Sequence, residues 1–195
     1  MKEMAKRIRA AFRDVAFTYR MGAGFAGDVN RTHPVSIEPA LNCVATPCTL
    51  YGQGVLYDTA GATNTYRPFA AGDAGVTIVN GAVVRPFPLQ APAGSTNAQQ
   101  GLTSAANQPA VPTAGPIDVM TDGYIMGQLN PGQANPTKGQ FAMIQTAVTG
   151  ITGGNNLVQG QWMTAATVAV ATLANARYNG PADANGVVEI HIFSN

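Results

Sequence analysis

From His33 onward, short runs of alternating or β-branched residues are separated by Gly, Pro, Asn and Asp. A period of two places successive side chains on opposite faces of a strand. Short runs of that kind between turn residues predict an all-β body. The strands are expected at 33–38, 50–57, 63–67, 75–79, 82–87, 117–126, 140–147, 168–178 and 187–193. Asn80-Gly81 and Asn185-Gly186 are the pairs favoured in two-residue hairpins, where both central positions of a type I′ turn need positive φ. "DTAG" at 58–61 and "NPGQANPTKG" at 130–139 add further turn signals, and 89–116, rich in Ala, Gln, Ser and Pro without apolar periodicity, reads as a long loop. "NGAVVRPFPLQAP" (80–92) has the prolines of a polyproline ligand. It reads better as the second strand of a hairpin followed by the exit from the sheet, with Val83, Val84 and Phe87 packing, Pro86 at an edge, and Arg85 as a subunit contact.

The start of the chain follows a different rule. Met4, Ile8, Phe12, Val15 and Tyr19 recur at spacings of three and four, one face of an α-helix over 2–20. "MGAGFAGD" then supplies a helix stop and a flexible joint at 22–27. The expected organisation is an arm over 1–29 and a β-domain over 30–195. Lys2, Lys6, Arg7, Arg9, Arg13, Arg20 and Arg31 hold most of the basic charge, against Glu3, Asp14 and Asp28, so the body is mildly acidic. That balance argues against nucleic acid, which calls for a basic stripe on the folded domain. Interleaved apolar residues point the arm at a protein groove instead, with Ile8, Phe12, Val15 and Tyr19 buried against a neighbouring subunit or another protein, and Arg7, Arg9 and Arg13 paired with acidic groups around it.

Charged residues are only 11% of the chain, against about 25% in an ordinary soluble domain. A surface covered by Ala, Thr, Asn, Gln and Gly carries little of the charge that keeps proteins apart, and suits a protein packed against others. No run approaches the roughly 20 apolar residues of a membrane span. Arg13 and Asp14 interrupt the apolar stretch that a secretory signal needs. Cys43 and Cys48 either close a small loop or stay reduced, and spacing alone does not choose.

General acid–base or nucleophilic catalysis needs converging titratable groups, and few are offered. His33 and Glu38, five apart on a strand, point to opposite faces. His191 reads as an outward polar residue of the last strand. Asp118 and Asp122, four apart on one strand face, are too few for a Ca²⁺ site. No catalytic, metal or cofactor residues are therefore assigned, and no cofactor is expected.

Several stretches together resemble the capsid decoration, or cement, proteins of tailed bacteriophages: "NRTHPVSIEPALN", "YGQGVLYDTAGATNTYRPFAAGD", "GVTIVNGAVVRPFPLQ", "IDVMTDGYIMGQL" and "ANARYNGPADANGVVEIHIF". The resemblance implies a mainly β fold, a small β-barrel or β-tulip-like domain, here with an N-terminal helical or extended arm. It also implies a structural virion protein, made in the host cytoplasm, that binds the outer surface of the major capsid protein lattice as a dimer or trimer. In that role it cements adjacent capsomers, with no catalytic residues and no nucleic-acid or membrane partner. The competing reading is a carbohydrate- or receptor-binding module displayed on the virion, in which the loop 89–116 and Tyr124 or Trp162 supply contacts.

Overall fold

The computed structural model describes residues 25–30, 32–61, 63–85, 111–147, 151–152, 155–156, 159–165 and 169–194. The expected helix over 2–20, with Arg7, Ile8, Arg9, Phe12, Arg13, Val15 and Tyr19, lies outside them, as does most of the expected loop 89–116. The strands are β1 (Val29–Asn30), β2 (Ser36–Asn42), β3 (Gly54–Tyr57), β4 (Thr65–Pro68), β5 (Gly81–Val83), β6 (Gly115–Gln128), β7 (Phe141–Gln145), β8 (Ile151–Thr152), β9 (Asn155–Asn156), β10 (Trp162–Met163), β11 (Val170–Tyr178) and β12 (Val187–Ile192). The described helical structure is one 3₁₀ turn, Ala71–Asp73. The protein is mainly β, as its punctuation predicts.

The 14-residue β6 organises the fold. Its first half closes a five-strand barrel, running β6–β2–β4–β3–β5 and back to β6. Closure leaves no unpaired barrel edge. Its second half belongs to an open sheet in the order β10–β7–β11–β12–β6, with β1 on the far side of β6. The transition is built into "MTDGY": Ser36 pairs with Asp122 but Ile37 pairs with Met120, leaving Thr121 as an extra residue. Such a bulge bends and twists the strand. Gly123 follows with φ +127°, and a Cβ there would stand 3.0 Å from Val35 Cγ2, so the bend needs glycine. The bulge also breaks the alternation between Asp118 and Asp122. Asp118 is exposed opposite Pro39, whereas Asp122 accepts hydrogen bonds from the N–H and Oγ of Ser194.

Two cores result. One fills the barrel with Ala40, Val55, Tyr66, Val83, Ile117 and Val119. The other lies between barrel and sheet and includes Leu56, Met120, Ile144, Trp162, Leu173 and Ile190. Trp162 is fully buried at this seam and donates its Nε1–H to the Gly52 carbonyl at 2.7 Å.

Three expectations need correction. The predicted strand 75–79 is irregular backbone after the 3₁₀ turn. Its polar groups are served by a bulged stretch of β11: Ala174 N–H donates to Thr77 O, and the Asn175 carboxamide both accepts from Val79 N–H and donates to Val79 O, each at 2.9 Å. Asn80-Gly81 therefore joins no hairpin; Gly81 opens β5, and Asn80 Oδ1 accepts from Tyr57 N–H. Asn185-Gly186 does turn the chain, but only Gly186 has positive φ, and Gly186 N–H closes back on Asp183 O. That is a type I turn with a glycine bulge rather than type I′. The two-residue strands β1, β8, β9 and β10 have no periodicity long enough to predict them.

The amide residues also divide differently from expectation. Asn42, Gln53, Asn130, Gln145 and Asn175 are buried rather than spread over the surface. Asn42 joins Cys48 to Pro112 through both ends of its carboxamide, and Gln53 accepts from Thr49 and Leu50 while donating to Gln159 O. Amides here replace strand partners in irregular loops, satisfying backbone groups that burial would otherwise leave unpaired.

Candidate functional site

The register of the open sheet aligns one residue from each of five strands: Phe141 on β7, Arg177 on β11, His191 on β12, Tyr124 on β6 and Asn30 on β1. Directly opposite residues share a face, so these form one row across the side of the sheet away from the core. The Arg177 guanidinium lies 3.9 Å from the Phe141 ring centroid and donates to Gly139 O. Tyr124 and His191 stack at 4.2 Å with planes 5° apart. His33 packs against Tyr124 at 4.6 Å with planes tilted by 51°, and Phe193 leans on His191 at 5.5 Å.

Hydrogen bonds fix the row from beside it. Asn30 and Asn179 donate to the two oxygens of Glu189, and Thr32 donates through both N–H and Oγ1 to Asn30 Oδ1. At the other flank the two hydrogen bonds from Ser194 hold the Asp122 carboxyl below its ordinary range, with a smaller contribution from nearby His191. A face whose polar groups are already oriented loses less side-chain freedom when a partner covers it.

The geometry limits what this face can do. Sugar stacking needs a free aromatic face, and Tyr124 is stacked on His191 with His33 tilted against it. Trp162, the other residue expected to contact a sugar, is inside the core. His33 and Glu38 are also apart, one against Tyr124 and the other accepting from the Tyr66 hydroxyl. Rigid Tyr, Phe and Arg side chains are instead what dominates protein–protein interfaces.

Arg85 has an internal role that sequence reading missed. Its side chain is 11% exposed, lies 4.4 Å from the Phe25 ring centroid and pairs with Asp28 at 3.8 Å, while its N–H donates to Gly27 O. It fastens the root of the arm to the barrel. Cys43 and Cys48 are both free thiols, and burial, reinforced by Cys43, pushes the Cys48 thiol up to about 12.

A family model described as structural cement protein (E217 gp24/Pam3 gp6) matches residues 13–193. The chain belongs to the phage structural cement protein family. A chain from a structure entitled "The capsid of Myoviridae Phage XM1" shares the fold, with a TM-score of 0.60 over 90% of this chain and 94% of that chain at 13% identity. No curated protein matches the sequence. The cement protein is thus a structural virion component, in agreement with the resemblance read from its sequence, and the family is a structural rather than an enzymatic one. Among the described residues no helix is long and apolar enough to cross a membrane.

Proposed function

We propose that this cement protein binds the outer surface of the major capsid protein lattice and ties adjacent capsomers together, stabilising the head. The observation that carries this reading is family membership over residues 13–193. The aromatic and arginine row supports it by supplying a rigid face for the shell. The arm supplies a second point of attachment, to a neighbouring subunit or to the capsid protein, with Ile8, Phe12, Val15 and Tyr19 burying in a groove and Arg7, Arg9 and Arg13 meeting acidic groups around it. Assembly as a dimer or trimer multiplies these contacts, because each engaged subunit raises the effective concentration of the next. A ligand that binds the assembled shell and not its free subunits stabilises the shell by mass action.

The test is co-sedimentation with capsids emptied of this protein, followed by thermal disruption of the loaded shells. Saturable binding and a raised disruption temperature are expected. Arg177→Ala, which truncates a half-buried side chain held over Phe141 and on Gly139 O, should weaken binding about tenfold, within the range of about 1–3 kcal/mol for an interface arginine, with only a small fall in the melting temperature of the free protein. Equal binding to dissociated capsid protein, or binding without stabilisation, overturns the cementing role.

A further inference from the structure

Among the described residues, four of the eight exposed large apolar ones fall between positions 35 and 44: Val35, Ile37, Leu41 and Val44, exposed by 37 to 76%. Ile37 and Leu41 share the outward face of β2 with exposed Pro39, and Pro116 stands opposite Leu41, so the stripe is continuous along the barrel. Nothing described in this chain covers it. The charge that faces it is acidic: β2 and β6 carry no basic residue, Asp118 stands exposed opposite Pro39, and Asp58 stands against Cys43 at the stripe's end. On the neighbouring β4, Arg67 is occupied by Asp73 at 2.6 Å.

The chain itself contains a segment of the opposite character. Residues 1–24 carry six basic against two acidic residues, with Ile8, Phe12, Val15 and Tyr19 recurring at the spacing of a single face. An apolar stripe rimmed by carboxylates fits an apolar ridge flanked by arginines, in both hydrophobicity and charge. The arm is rooted on the other side of β6. Gly27 N–H donates to Met126 O and Arg85 N–H to Gly27 O, beside the end of β5, whereas β2 pairs along the edge of β6 opposite β5. The described root of the arm therefore sits beside β5 and not beside β2.

We propose that the β2 stripe is the docking site for segment 1–24 of a second copy of this chain, so that copies are joined by exchanged arms. This rests on the reading of the arm as a binding element and names its acceptor. It makes subunit association a property of the free protein, separate from the sheet face offered to the capsid.

Trypsin provides the test, since every basic residue of the arm is a cleavage site. In the full-length protein at micromolar concentration, the arm should be cut at least tenfold more slowly than a peptide of residues 1–24. Dilution or 0.5 M salt should abolish that protection. Ile37→Asp with Leu41→Asp should bring cleavage to the peptide rate and reduce the sedimenting species to a monomer, while the variant still unfolds in one cooperative transition at a moderately lowered temperature, since both side chains are more than a third exposed. An arm cut at the peptide rate in the unmodified protein, or protection that survives the double substitution, overturns the docking. Protection lost in the double variant yet independent of concentration overturns exchange between copies. If protection develops only on capsids and the variant retains it, the arm's partner is the capsid protein, which refutes this proposal and leaves the cementing role standing.

Discussion

Asn175→Ala should cost far more stability than a polar-to-alanine change on a strand ordinarily does. Asn175 is 3% exposed and holds both backbone polar groups of Val79, itself 1% exposed, through two hydrogen bonds of 2.9 Å. A third bond reaches Phe193 O at 3.3 Å, so the same carboxamide also secures the end of β12. Alanine removes the side chain and leaves a buried N–H and a buried C=O at Val79 without their partner. Each unsatisfied group costs about 1–3 kcal/mol, which places the loss at about 2–6 kcal/mol. That is a large share of the roughly 5–15 kcal/mol stabilising a typical domain. Urea unfolding followed by Trp162 fluorescence is the assay, and the midpoint should fall with little change in slope, since the surface exposed on unfolding is nearly the same. A loss below about 1 kcal/mol would refute the reasoning, because it would mean that the 76–80 segment satisfies its backbone without Asn175.

Gly127→Ala should destabilise by about 1–3 kcal/mol through overpacking, since its Cβ would stand 2.5 Å from Ile190 Cδ1 and 2.6 Å from the Trp162 indole. A lowered melting temperature checks this, and an unchanged one would show that the seam yields. Acid should weaken the fold through Asp73, whose carboxyl is held below its ordinary range by hydrogen bonding to Arg67, a lowering that partial burial opposes. A depressed native pKa gives stability that is present above the unfolded value, near 3.8, and is lost as pH falls through the native value. Asp73→Asn should therefore flatten the stability profile below about pH 4, as measured by urea midpoints across pH. An equally steep profile would assign acid sensitivity to other carboxylates.

The architecture was legible where local rules act alone. β2, β3, β4, β6, β7, β11 and β12 each overlap an expected strand, because period-two patterning and flanking turn residues are properties of neighbours in sequence. The segment 75–79 misled for the same reason. "GVTIV" has the composition of a buried strand, and Val79 is indeed buried, but its backbone partner is a side chain about a hundred residues later. Burial and strand pairing are usually linked, and Asn175 separates them. Nor does the run "GPIDVMTDGYIMGQ" announce that one strand will serve a barrel at one end and a sheet at the other. Its glycine was visible, but the extra residue at Thr121 exists only relative to β2.

The candidate surfaces were less legible than the fold, and the row explains why. His33, Tyr124 and His191 each stood out in the sequence as isolated residues, and Phe141 and Arg177 did not stand out at all. What makes them a surface is register: β7 against β11, β11 against β12, and β12 against β6 place four of them opposite one another, and His33 joins over Tyr124. A single slip in any of those pairings would turn one strand's contribution to the core side. A catalytic motif can be recognised from spacing because its chemistry demands particular atoms at particular distances. A docking surface demands only rigid, suitably oriented contact area, which many sequences can supply, so no spacing in the chain singles out Phe141, Arg177, His191 and Tyr124 before the strands are paired.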